Sequence, residues 1–323
     1  MQQTIDFYNL EPAKSNFFAD VVQGLRDNPK HIPSKYFYDE RGSKLFDKIC
    51  CLKEYYPTRT ESSILDTYAE KIDALFRHDT LLIELGSGNI SKIQRILKVS
   101  RKVRAYAPVD ISYEHLLKSC KQLNVLFPDV KISAICADYQ KLAFPPELQK
   151  GYPNKAVFFP GSTLGNMSSE ETRSLFQLVR EILNGDGLFI VGLDLVKNRT
   201  TLQKAYNDSK GVTSRFNLNL LERVNNEIGA NFDLKGFEHR ADYNETSQRI
   251  EMHLVSKINQ EVAIKGEMFH FEQGESICTE FSRKYEIKSF CNFTKENGFD
   301  VEAVFTDPKK YFAEFVLKPS PSS

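Results

Sequence analysis

Nine residues, Leu81-Leu-Ile-Glu-Leu-Gly-Ser-Gly-Asn89, constrain the fold of this chain more than any others. An apolar run ends in an acid and a Gly-x-Gly turn, and a helical pattern follows at once. That is the arrangement of a buried parallel strand feeding a crossover helix. The pattern repeats as far as Gly192, with strands predicted at Leu81–Leu85, Val103–Val109, Lys131–Cys136, Ala156–Phe159 and Gly187–Leu193. Helices are predicted at Ile90–Leu97, Tyr113–Phe127 and Glu170–Leu183. Ser168 followed by Glu171 fits a capping box at the start of the last of these, and Asn184-Gly185 marks its end. The expected class is α/β, with a Rossmann-like sheet.

In doubly wound sheets ligands lie outside the carboxyl ends of the strands, near the point where strand order reverses. The Gly86-x-Gly88 turn therefore marks where a nucleoside sits. Asp110 closes the second strand, where a carboxylate accepts both hydroxyl hydrogens of a ribose. Asp138 and Tyr139 close the third, an acceptor for an adenine amino group beside a ring able to pack on the base. A nicotinamide dehydrogenase shares much of this, but its fingerprint has a third glycine where this chain has Ser91. The acids at three successive strand ends favour S-adenosylmethionine; a nicotinamide oxidoreductase and a non-catalytic binding module remain as alternatives. Taken alone, a Gly-x-Gly turn is also plain strand–helix punctuation. Lys92, one turn into the helix, suits a methionine carboxylate, although by position alone a solvated helix residue is the commoner role.

From Lys197 to about Lys284 the character changes. Polar helical stretches (Thr201–Asn207, Val212–Ile228) give way to strand-like alternation at Arg249–Lys257, Ala263–Phe269 and Ser276–Lys284. This predicts an inserted α+β domain. After it the sheet resumes, with a helix over Phe290–Asn297 and a hairpin of Val301–Phe305 and Tyr311–Leu317 around Asp307-Pro308. The 323 residues suit two domains, and 43 basic residues balance 43 acidic ones, which gives no reason to expect a nucleic acid or an anionic membrane as partner. A small-molecule ligand is the default. There is no signal-peptide pattern, no apolar run of membrane-spanning length, and no cysteine or histidine spacing of a metal site. A cytoplasmic, metal-free monomer is expected.

More specific are the strings Lys35-Tyr-Phe-Tyr-Asp-Glu-Arg-Gly-Ser43, Glu54-Tyr-Tyr-Pro-Thr-Arg-Thr-Glu61, Glu84-Leu-Gly-Ser-Gly88, Pro108-Val-Asp-Ile-Ser112 and Gly161-Ser-Thr-Leu-Gly-Asn166, which follow one another in order. With Ile250-Glu-Met252 and Thr279-Glu-Phe-Ser282 further on, the chain resembles the histidine-specific methyltransferases of ergothioneine biosynthesis over nearly its whole length. The resemblance implies a class I methyltransferase sheet and trimethylation of the α-amino group of L-histidine to hercynine. Its nearest rival is the same fold acting on another amino acid such as tryptophan. It implies adenosylmethionine contacts at Gly86, Lys92, Asp110, Asp138 and Tyr139, and histidine contacts at Tyr56, Asn166, Tyr206, Glu280 and Ser282, with Met252 shaping the side-chain pocket. It further implies a methyltransferase domain of residues 60–196 plus 286–323, a substrate domain of 11–59 plus 197–285, and a cleft between them.

The residue chemistry is compatible with these roles. The nucleophile must be a neutral amine, and tyrosine and asparagine groups (Tyr56, Tyr206, Asn166) hold an amino acid's backbone without stabilising its ammonium form. A tyrosine hydroxyl, Tyr56 or Tyr206, or else water, takes the proton. Glu280 and Ser282, two apart on an alternating strand, point to one face and can meet one imidazole. Without the resemblance, Glu280 reads as a solvated strand face, Met252 as ordinary core with Ile250 and Leu254, and Asn166 as the end of a loop before the Ser168 cap.

Overall fold

The computed structural model describes residues 5–10, 16–88 and 90–321. The chain forms two compact units. The first holds Thr60–Leu195, the segment from Tyr285 onward and an N-terminal strand; the second holds Val196–Lys284 and the stretch preceding Thr60.

In chain order the strands of the first unit are β1 (Asp6–Asn9), β2 (Thr80–Leu85), β3 (Val103–Asp110), β4 (Lys131–Cys136), β5 (Asn154–Phe159) and β6 (Leu188–Asp194). The second unit contributes β7 (Phe237–Asn244), β8 (Arg249–Ser256), β9 (Gln260–Ile264), β10 (Glu267–Phe271) and β11 (Ser276–Arg283). The first unit then resumes with β12 (Phe299–Thr306) and β13 (Phe312–Pro319).

An eight-stranded sheet in the order β1-β4-β3-β2-β5-β6-β13-β12 forms the first unit. Strands β1 to β6 pair in parallel, while β13 is antiparallel to both β6 and β12. Every residue of β2 is buried, as a central strand covered on both faces requires. Leu81, Ile83 and Leu85 pack on one face with helix Ser169–Leu183; Leu82 packs on the other with Leu65, Ile96 and Leu116. Chain progression reverses between β2 and β5, so the switch point lies at the carboxyl end of β2.

The expected α/β architecture is the one observed, and the capping box is present in full: Ser168 Oγ accepts from Glu171 N at 3.1 Å and Glu171 Oε2 from Ser168 N at 2.7 Å. Three readings need correction. The helix expected from Ile90 begins at Ile93, so Lys92 is its N-cap rather than a residue one turn in. The single strand expected over Ala263–Phe269 is the β9–β10 hairpin, because Lys265 and Gly266 both take positive φ (46° and 92°) and turn the chain back. The 20-residue helix Tyr56–Leu75 and strand β7 went unassigned, both in segments too polar to reveal their period.

Within the second unit β11, β8 and β7 form an antiparallel sheet in that order, and β9 pairs with β10. Helix Val212–Ile228 buries Phe216, Leu220, Leu221 and Val224.

Candidate active site

At the end of β2 the chain turns through Gly86 with φ +71°, a conformation that L side chains rarely adopt, and a Cβ there would lie 3.7 Å from Tyr139 Cε1. The amides of Gly86 and Ser87 both donate to Val109 O, at 2.9 and 3.1 Å, which ties this turn to the residue before Asp110. A Cβ at Gly88 would meet nothing within 4 Å, so the backbone there faces open space. Asp110 ends β3, partly buried, and accepts from Ser112 N at 2.8 Å. Burial raises its carboxyl above the usual range against the pull of the Ser112 and Ile111 amides and of His115. Asp138 accepts from Gln140 N at 3.0 Å, and the Tyr139 ring meets Phe159 edge-on at 5.5 Å. Burial also raises the Tyr139 phenol, which keeps it neutral. Gly86, Asp110, Asp138 and Tyr139 thus follow three neighbouring strands on one side of the switch point, with the bare backbone, acidic acceptors and aromatic wall that a nucleoside requires.

Behind the glycine turn, Glu84 is buried and accepts from the Tyr106 hydroxyl. Burial pushes its carboxyl up to about 8, although Tyr106 and Lys92 pull the other way. Lys92 pairs with Glu61, Nζ to Oε2 at 2.5 Å. Glu61 and Glu314 are both fully buried. Asn166 ends the 3-10 turn Thr163–Asn166, half-buried, just ahead of the Ser168 cap.

A separate polar cluster occupies the second unit. Tyr206 Oη donates to Ser282 Oγ at 2.8 Å, and Lys284 Nζ donates to Tyr206 Oη at 3.0 Å and to Ser282 Oγ at 2.9 Å. Lys284 is only 1% exposed, so this network holds a buried cation. Glu280 and Met252 stand directly opposite each other on β11 and β8, and such cross-strand partners share a face. A bulge between Cys278 and Glu280 precedes the pair; from Glu280 onward the alternation is regular, so Glu280 and Ser282 also share that face. Burial pushes Glu280 up to about 7, with the Lys284 charge opposing. Beneath Tyr206, the Asn217 amide donates to His239 Nδ1 at 2.9 Å and to His253 O at 3.0 Å, while its oxygen accepts from Thr279. That fixes His239 as the tautomer whose Nε2–H donates to Tyr206 O at 2.8 Å. Tyr56 receives Lys197 Nζ on its hydroxyl at 2.7 Å, and the Tyr55 ring lies edge-on to Tyr206 at 6.0 Å.

The structure therefore joins Tyr206 to Ser282, and Glu280 to Met252, and places Tyr56 against Lys197. Sequence reasoning missed Lys284, Lys197, Glu61 and Glu314. Lys284 continues the Glu280, Ser282 alternation by one more step. Glu314 interrupts the otherwise apolar run Phe312–Leu317, and Glu61 closes one of the strings that carry the resemblance. Among the described residues no three His, Cys, Asp or Glu side chains gather as a metal site, and no helix is long and apolar enough to cross a membrane.

Comparison with known proteins returns one family description, "Histidine-specific methyltransferase, SAM-dependent", matched over residues 17–319. The chain is 37% identical to the histidine N-alpha-methyltransferase of Mycolicibacterium smegmatis, over 90% of each chain. It is 36% identical to the protein of that name from Mycobacterium tuberculosis, over 82% of this chain and 83% of that one. Ergothioneine biosynthesis protein 1 of Schizosaccharomyces pombe is 31% identical over 88% of this chain, which spans 38% of that longer protein.

Proposed function

The chain belongs to the SAM-dependent histidine-specific methyltransferases, and from that premise we propose that it trimethylates the α-amino group of free L-histidine to hercynine in ergothioneine biosynthesis. Family membership decides between the donor readings that the strand-end acids left open. Adenosylmethionine supplies the methyl group as a sulfonium, and the chain's work is to bind, orient and control protons. Asp110 takes the ribose hydroxyls, Asp138 the adenine amino group, Tyr139 the base face and Gly86 the close backbone approach. Lys92 takes the methionine carboxylate.

For the amino acid, Tyr56, Tyr206 and Asn166 hold the α-amino and α-carboxylate groups. Methyl transfer needs the amine lone pair, hence a neutral amine. The Lys284 cation, hydrogen-bonded to Tyr206 and Ser282, favours a carboxylate nearby and disfavours an ammonium, which lowers the pKa of the bound amine. Glu280 accepts an imidazole N–H, Ser282 meets the same ring, and Met252 opposite Glu280 packs on it. An apolar amino acid would leave the Glu280 carboxyl unpaired, at a cost of about 1–3 kcal/mol. The observation that carries the substrate reading is this single face, where one carboxyl, one thioether and the Tyr206–Ser282–Lys284 network lie together.

The test is incubation of the protein with adenosylmethionine and an equimolar mixture of the twenty amino acids, with products followed by mass spectrometry. Histidine gaining three methyl groups, with loss of that product in Glu280→Ala, is the expected result. Methylation of tryptophan or another amino acid in place of histidine would overturn the substrate assignment.

A further inference from the structure

Glu61 and Glu314 are both 0% exposed, and the partially buried Lys92 is the one cation paired with either among the described contacts. Two carboxylates and one ammonium in such a place leave a net buried charge, which is strongly unfavourable. Geometry brings the two acids together over Gly192: a Cβ on that glycine would lie 2.6 Å from Glu61 Oε1 and 3.1 Å from Glu314 Oε1. Gly192 on β6 pairs with Glu314 on β13, so its missing side chain is what leaves room for both carboxyls.

Their surroundings differ. Glu61 is the better supplied: Oε1 accepts from the Gly161 amide at 2.6 Å, and Oε2, which has no hydrogen-bond partner among the described residues, forms an ion pair with Lys92 Nζ at 2.5 Å. Both Glu314 oxygens are buried, and no N–H or hydroxyl among the described residues donates to either. A proton on Glu314, directed at Glu61, would give one of its two oxygens a partner. Burial and the Glu61 charge hold the Glu314 carboxyl well above the usual carboxylate range, and Lys92 opposes them. Glu84 also senses Glu61, which raises its carboxyl in part. Phe312 supplies an apolar wall.

We propose that Glu314 is a neutral carboxylic acid donating to an ionised Glu61, and that the two are positioning residues for methyl-donor binding. Glu61, held in this way, aims the Lys92 ammonium and fixes the Gly161 amide at the carboxyl edge of β5. When Glu314 loses its proton, the two carboxylates repel and Glu61 gives up its geometry. Binding of adenosylmethionine then weakens on the alkaline side by more than the titration of the donor's own α-amino group accounts for. The inference rests on the assignment of Lys92 to the methionine carboxylate.

The experiment is a calorimetric titration of the full chain with adenosylmethionine across neutral and alkaline pH, with melting temperature recorded for every variant. Glu61→Gln should weaken binding about ten- to hundred-fold at neutral pH, the loss expected for a charge-assisted hydrogen bond. Glu314→Gln carries a permanent amide donor toward Glu61, so it should remove the part of the alkaline weakening that exceeds the donor's own α-amino titration. The infrared difference spectrum, wild type minus Glu314→Gln, should contain the carbonyl band of an un-ionised acid at neutral pH. That readout does not depend on donor binding. An unchanged alkaline limb in Glu314→Gln, or the absence of that band, would overturn the proposal. Lys92→Met separates the two layers: normal affinity there rejects the Lys92 assignment, whereas a ten-fold or greater loss there with none in Glu61→Gln rejects the positioning role alone.

Discussion

Lys284 carries its ammonium into a space where only 1% of the residue reaches solvent, between the Tyr206 and Ser282 hydroxyls. A buried cation beside the proposed amino-acid site shifts the titration of whatever amine binds there. Lys284→Met keeps an unbranched apolar stem and removes the charge. It should move the acidic limb of the kcat–pH profile upward by about one unit, with kcat near neutrality falling about ten-fold; Lys284→Arg should restore much of it. A limb that stays in place in Lys284→Met would mean that the cation serves packing alone. Glu280 and Ser282 were legible as a pair because a period of two fixes their common face. Lys284 obeys the same period, but it stands beyond the strand end at Arg283, and a lysine at a strand end reads as solvated. Its burial is decided by Tyr206, which lies 78 positions away. No local pattern reports that.

Elements were legible where the sequence carries its own punctuation. Ser168 and Glu171 announce the helix Ser169–Leu183, and both reciprocal hydrogen bonds form. Ser168→Ala should destabilise the first unit by about 1 kcal/mol, measured as a lower denaturation midpoint; a midpoint unchanged within error would show that Glu171 and the first-turn acids suffice. The β9–β10 hairpin lacked such punctuation. Lys265-Gly266 is not the Asn-Gly or Asp-Gly pair that advertises a two-residue turn, and although Val262 and Ile264 alternate, as do Phe269 and Phe271, the only break between the two pairs is a phase shift of one residue, which is easily passed over in so short a stretch. The helix Tyr56–Leu75 does bury Ile64, Leu65, Ala69 and Ile72 at helical spacing, but serines, threonines and charges between them dilute the signal. At the strand ends the acids Asp110 and Asp138 were readable because a parallel sheet assigns a fixed place to whatever follows each strand.

For the molecule as a whole, stability should pass through a maximum near mildly acidic to neutral pH. Glu84, raised to about 8, and Glu280, raised to about 7, prefer the neutral form when folded. Their contribution is complete below the unfolded carboxyl value and is lost as pH rises through 7 and 8. His239 and His253 have values lowered chiefly by burial, so their contribution is complete above about 6.5 and declines as pH falls through their folded values. Melting temperature against pH should fall on both sides, and Glu84→Gln should flatten the alkaline side; a steep alkaline fall persisting in that variant would shift the cause to other groups. The sheet order has a further consequence for biosynthesis. Glu61 and Lys92 are made early, but Glu314 arrives on β13, after the whole of the second unit has been translated. Until that strand docks against β6, Glu61 has no acid to hold it, so a chain still on the ribosome should bind the methyl donor poorly even with its glycine turn and strand-end acids already folded.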